Sequence, residues 1–119
     1  MQKKRILICD DEEGVRESLN LILENDYELD FANNGAEAVN KIKEAPYDGL
    51  LLDIKMPVRN GLETLEEIRK IAPELKVIII TGYQSVEMAT KAMKLGAVEY
   101  ISKPFNKSEV FEKTRNLLK

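Results

Sequence analysis

Short apolar runs of strand length alternate with segments of helical period along the whole chain, and no other feature constrains the fold as much. Ile6 to Cys9, Leu50 to Leu52 and Val77 to Ile80 are continuous apolar stretches, the last β-branched throughout, the pattern of strands buried on both faces. Tyr27-Glu28-Leu29-Asp30-Phe31 alternates apolar and polar residues, and Val98 to Ile101 is a further short run, which completes five candidate strands. Between them, Val15, Leu19, Ile22 and Leu23 share one helical face, as do Leu62, Leu65, Ile68 and Ala72. Three more helical faces are marked by Ala38, Val39 and Ile42, by Ala89, Ala92 and Met93, and by Val110, Thr114, Leu117 and Leu118. A strand followed by a helix, five times over, predicts a doubly wound α/β domain. Parallel neighbours need right-handed crossovers, and these put helices on both faces of the sheet. The last helix starts near Lys107-Ser108-Glu109, with Ser108 as candidate N-cap.

In an open parallel sheet the carboxyl ends of the strands share one rim. The first strand runs into Asp10-Asp11, the third into Asp53, the fourth into Thr81-Gly82 and the fifth into Ser102-Lys103-Pro104. Asp often caps helices and loops after strands are often polar, which accounts for any one of these residues but not for a complementary set. Three carboxylates this close repel one another unless a cation sits among them, and all-oxygen ligands suit Mg2+ or Mn2+. A divalent ion, a lysine ammonium and a threonine hydroxyl together surround a small anion, and a phosphoryl group fits. A carboxylate is then left as nucleophile, forming an acyl phosphate. Gly82 leaves room for that group, or is a flexible turn.

Composition narrows the chemistry further. At 119 residues the chain has room for one core and is read as a single domain over residues 1–119. Hydrophobic residues at 44% and charged residues at 33% describe neither a disordered tail nor a membrane protein. A net charge of −3 gives no field that favours nucleic acid or anionic lipid. With no histidine in the chain, His-based acid/base catalysis, Ser-His and Cys-His nucleophiles and ordinary zinc sites are excluded. Cys9 is the single cysteine and reads as a small buried hydrophobe. The apolar run behind Lys3-Lys4-Arg5 stops at Asp10, too soon for a secretory or membrane segment, so a cytoplasmic location is expected.

Four stretches resemble the receiver domains of two-component response regulators, and the resemblance covers essentially the whole chain. They are Ile8-Cys9-Asp10-Asp11-Glu12, Leu51-Leu52-Asp53-Ile54-Lys55-Met56-Pro57 with Gly61, Ile80-Thr81-Gly82-Tyr83, and Tyr100-Ile101-Ser102-Lys103-Pro104-Phe105. Each is weak alone, and four in order are strong. The resemblance implies a (βα)5 domain with flavodoxin-like strand order 2-1-3-4-5. It implies Asp53 as phosphoacceptor, Asp11 as direct metal ligand, Asp10 holding the ion largely through water, and the Lys55 carbonyl completing the set around Mg2+. It further implies that Lys103 pairs with the phosphoryl group, that the Lys103-Pro104 peptide is cis, and that Thr81 and Tyr100 move together on phosphorylation. Tyr100 is equally readable as an edge-strand packing residue. Met56-Pro57 with Gly61 would hold the loop after Asp53 in a fixed turn, or form a generic Pro/Gly loop, and Lys55 and Tyr83 flank the expected phosphate pocket, where relatives tune loss of the phosphoryl group. Asn60 departs from the family, where many members carry Asp.

The implied partners are a sensor histidine kinase or histidine phosphotransferase, and a downstream effector or C-terminal output domain. The signal leaves by the face of the fourth helix, fifth strand and fifth helix, and a homodimer formed on phosphorylation is among the expectations. Residues 85–97 look like the same region of receivers joined to sigma-54 activator ATPases, so the chain reads either as a stand-alone receiver or as one part of a longer regulator. Three other classes compete with this reading. A flavodoxin-like electron carrier needs a Ser/Thr/Gly-rich phosphate loop after the first strand, where this chain has Asp10-Asp11-Glu12-Glu13. A haloacid-dehalogenase-type phosphatase needs Asp-x-Asp, which neither Asp53-Ile54-Lys55 nor Asp10-Asp11-Glu12 supplies. An interaction module that never turns over phosphate keeps the fold without the chemistry.

Overall fold

The structure, a computed structural model, describes residues 3–54, 61–82 and 86–118. Along the chain run β1 (Lys4–Cys9), α1 (Glu13–Leu23), β2 (Tyr27–Ala32), α2 (Gly35–Glu44) and β3 (Gly49–Leu52). They are followed by α3 (Gly61–Ile71), β4 (Lys76–Thr81), α4 (Val86–Lys94), β5 (Glu99–Ser102) and α5 (Lys107–Leu117). The strands form one sheet in the order β2-β1-β3-β4-β5, every pair parallel. This is the doubly wound architecture that the alternating pattern predicts.

Side chains alternate across the sheet and divide the core in two. Leu7, Cys9, Leu50, Leu52, Val77 and Ile79 face α2, α3 and α4, where Val39, Leu65, Ile68 and Ala92 meet them. Ile6, Ile8, Leu51, Ile78, Ile80 and Ile101 face α1 and α5, against Leu19, Leu23 and Val110. Both sets are almost wholly buried, which is why the three central strands lack polar alternates. No helix among the described residues is long and apolar enough to cross a membrane.

Local chemistry sets the helix ends. Asn34 caps α2 by accepting from the Glu37 backbone N–H at 2.9 Å, while the Glu37 carboxylate accepts from the Asn33 N–H at 3.0 Å. Ser108 does not cap α5. Asn106 does, with an extended backbone and a side-chain oxygen accepting from Glu109 N–H at 2.8 Å. Ser108 lies inside the first turn, because the helix begins two residues earlier than Ser108 as N-cap implies.

Candidate functional site

Register places the acidic residues. Cys9 at the end of β1 pairs with Leu52 at the end of β3, so Asp10 and Asp53, each the next residue, leave the sheet side by side. Backbone bonds continue the ladder past the strand ends: Asp10 N–H donates to Ala32 O and Asp53 N–H to Cys9 O, both at 3.1 Å. The two carboxylates are consequently held by the sheet itself, and Asp10 and Asp53 are only 2% and 3% exposed. Across the rim, Lys103 N–H donates to Thr81 O at 3.0 Å, carrying the pairing of β5 with β4 one residue beyond Ser102. The peptide between Lys103 and Pro104 is cis.

That anchoring aims the Lys103 side chain across the rim at the acids. Its ammonium donates to Asp10 Oδ2 at 2.9 Å, Asp53 Oδ2 at 3.0 Å and Glu12 Oε1 at 3.3 Å. Asp10 uses its other oxygen to accept from the Glu12 backbone N–H at 2.9 Å, and its carbonyl accepts from the Arg16 guanidinium at 2.7 Å. Carboxylate oxygens of Asp10, Asp11, Glu12 and Asp53 all lie within 4.8 Å of one another.

Electrostatics follow from this crowding. Burial raises the Asp10 carboxyl above the usual range, and Lys103 does not cancel the effect because its single charge is shared with Asp53 and Glu12. For Lys103, burial disfavours the charged form, but the hydrogen bonds it donates to Asp10 and Asp53, with their charges, outweigh it and hold the ammonium above the ordinary lysine value. Beneath the site, Cys9 is pushed up to about 12, by burial first and then by the charges of Asp10 and Asp53. It is buried, its Sγ 3.4 Å from Asn34 O, and a thiol so placed is inert.

The residues singled out in the sequence are distributed as follows. Asp10, Asp11, Asp53 and Lys103 converge directly. Thr81 is buried at the end of β4. Tyr100, on edge strand β5, pairs with Ile79 and packs against the same half of the core. Because Thr81 follows Ile79 by two residues, Thr81 and Tyr100 point to the same face of the sheet. Lys55, Pro57, Asn60 and Tyr83 lie outside the described residues. Gly82 is exposed, and a Cβ there would make ordinary contact with Lys103 Cβ at 3.7 Å, so nothing among the described residues demands glycine. Gly61 has a sharper reason than a loop turn. It is the first residue of α3, its N–H donates to Ile54 O at 2.9 Å, and a Cβ would collide with Ile54 Cα and lie 2.7 Å from Asp53 O. The absence of a side chain at Gly61 lets α3 start directly against the backbone that carries Asp53.

Glu12 was not among the sequence candidates. The acidic run from Asp10 to Glu13 was its signal, but only the structure shows that Glu12, at the N-cap position of α1, makes no side-chain cap bond and meets Lys103 instead.

With fold and site together, the identity follows: the chain belongs to the family of response regulator receiver domains, whose description matches residues 6–115. It is 40% identical over 116 residues to the chemotaxis protein CheY of Halobacterium salinarum, covering 97% of each chain. It is 39% identical over 102 residues to the transcriptional regulatory protein ZraR of Klebsiella oxytoca, covering 85% of this chain and 23% of that one. Among solved structures, the response regulator protein TrrA of Thermotoga maritima, in complex with Mg(2+)-BeF, is 43% identical with a TM-score of 0.87, over 97% of this chain and 99% of that one. The chain thus spans nearly all of one curated relative and under a quarter of another.

Proposed function

We propose that this receiver, a single domain over residues 1–119, accepts a phosphoryl group on Asp53 from a phosphohistidine of a partner kinase or phosphotransferase. The observation that carries the reading is the Lys103 ammonium, held between two buried carboxylates at the strand-end rim. A carboxylate oxygen of Asp53 attacks phosphorus, and the P–N bond to the partner imidazole breaks with its electron pair returning to nitrogen. The product is an acyl phosphate on Asp53. These 119 residues hold no histidine, so the donor imidazole lies outside them. Lys103 neutralises charge on the transferring oxygens, and the Thr81 hydroxyl is the donor on the far side of the rim.

The donor set fits a hard divalent ion. Among the described residues four carboxylates crowd together against one ammonium, an excess of negative charge that oxygen-binding Mg2+, or Mn2+, matches. Asp10, Asp11 and Asp53 with the Lys55 carbonyl would hold it, and when bound it supplies charge neutralisation at the phosphoryl oxygens. We read the protein as a self-phosphorylating signalling domain rather than an enzyme acting on a separate substrate, and as cytoplasmic. Thr81 and Tyr100, on one face of the sheet, relay the change to α4, β5 and α5, where an effector or output domain docks. Loose packing of α4 supports this: among the described residues its one fully buried side chain is Ala92, whereas α3 buries Thr64, Leu65 and Ile68.

Incubation with acetyl phosphate and Mg2+ followed by intact mass tests the reading. One labile phosphoryl adduct is expected on the parent and none on Asp53→Asn. No adduct on the parent, or one that persists in the variant, overturns it.

A further inference from the structure

The Lys103 ammonium has three N–H donors, and among the described residues three carboxylates receive them. Two of the acceptors, Asp10 and Asp53, are buried and fixed by the sheet. The third, Glu12, differs in every respect. Its side chain is 63% exposed, its contact is the longest of the three at 3.3 Å, and it sits where a helix N-cap would ordinarily bond its own first turn but makes no such bond. Glu12 is therefore the acceptor that can be exchanged, and it stands on the solvent side of the ammonium, where a phosphoryl donor must approach.

We propose that Glu12 is a positioning residue that screens the site by charge: it holds the third N–H of Lys103 until a phosphoryl oxygen replaces it, and it disfavours small, highly anionic phosphodonors. The inference rests on Asp53 being the phosphoacceptor and adds a determinant of donor choice. Two physical effects act in the same direction. An incoming phosphoryl oxygen competes with the Glu12 carboxylate for the same donor, and the Glu12 charge repels an anion at the mouth. A donor phosphoryl group presented by a protein brings its own contacts to offset that barrier, whereas a small molecule does not.

Glu12→Gln removes the charge while keeping size and an acceptor oxygen, and at an exposed position it leaves the fold intact. The test measures phosphorylation rates of parent and Glu12→Gln at saturating Mg2+ with two donors, dianionic acetyl phosphate and the less negatively charged phosphoramidate, at low and high salt. The expected result is an acetyl phosphate rate raised about fivefold at low salt, a smaller gain with phosphoramidate, and convergence of the two proteins at high salt. Equal rates in parent and variant, or the same change with both donors at every salt concentration, would overturn the proposal, because a merely structural role does not distinguish donors by charge. If neither protein forms an adduct on Asp53 with either donor, it is the phosphoacceptor reading that fails.

Discussion

Asp53 and Lys103 make opposite contributions to the stability of the metal-free domain. Among the described residues four carboxylates face one ammonium, so each acid removed relieves repulsion, while removing the ammonium takes from the buried Asp10 and Asp53 the cation they share. In metal-free buffer Asp53→Asn should stabilise by about 1–2 kcal/mol. Lys103→Met should destabilise by about 3 kcal/mol, the cost of breaking a buried ion pair from one side. Urea titrations of the two variants check both signs, and saturating Mg2+ should narrow both differences. A metal-free Asp53→Asn that unfolds at lower urea than the parent would show that the repulsion is already fully compensated.

At the scale of elements, the site depends on where strands and helices end. Gly61 lets α3 begin in contact with the Asp53 backbone. Gly61→Ala should therefore cost about 1–3 kcal/mol and slow phosphorylation of Asp53 as well, since the displaced carbonyl belongs to the proposed phosphoacceptor. A rate measured with acetyl phosphate at full Mg2+ occupancy separates the second effect from simple loss of folded protein. For α5 the cap is the issue. Asn106→Ala should lower stability by about 1 kcal/mol, and Ser108→Ala should change it by only a few tenths. Thermal melts of the two variants decide between them, and equal losses would count against Asn106 as the cap.

The same scale shows why some features were readable in the sequence and others were not. Val77 to Ile80 announces a central strand because its burial on both faces admits no polar residue. Asp10 and Asp53 were legible because each directly follows such a run, Lys103 because it follows the last residue of β5, and parallel topology brings strand ends to one rim. Asn106 was not, because Ser108 is an equally good capping residue and only the backbone decides between them. Nor was Glu12. A glutamate next to a helix start reads as solvated charge, and its turn toward Lys103 depends on a residue that β5 delivers from the other end of the chain. The demand for glycine at position 61 was likewise invisible, since it arises from a backbone approach between α3 and the end of β3.

For the whole molecule, pH acts at a second cluster on the sheet's edge. Asp30 of β2 accepts from Tyr47 Oη at 2.7 Å and from the Arg5 guanidinium of β1 at 2.8 Å, which ties β1, β2 and the segment before β3 together. The Tyr47 hydrogen bond is the largest cause that lowers the Asp30 carboxyl below its ordinary value of 3.8, with burial opposing and Arg5 assisting. A carboxyl lowered in the folded state adds stability that is present above its unfolded value and is lost as pH falls through the folded one. Tyr47→Phe should thus be less stable than the parent near neutrality, and the gap should shrink below about pH 4. Urea midpoints of both proteins across that range would reveal it, and a gap independent of pH would place the effect in packing instead.

Asp53 as the single phosphoacceptor unites the fold, the rim and the family, and it can be tested at one residue. Brief reaction with acetyl phosphate and Mg2+, reduction with borohydride and peptide mass spectrometry would convert an aspartyl phosphate to homoserine at its own position in the chain. The account predicts homoserine at position 53 and nowhere else. Homoserine at position 10 or 11, or none in protein that has taken up a phosphoryl group, would contradict it.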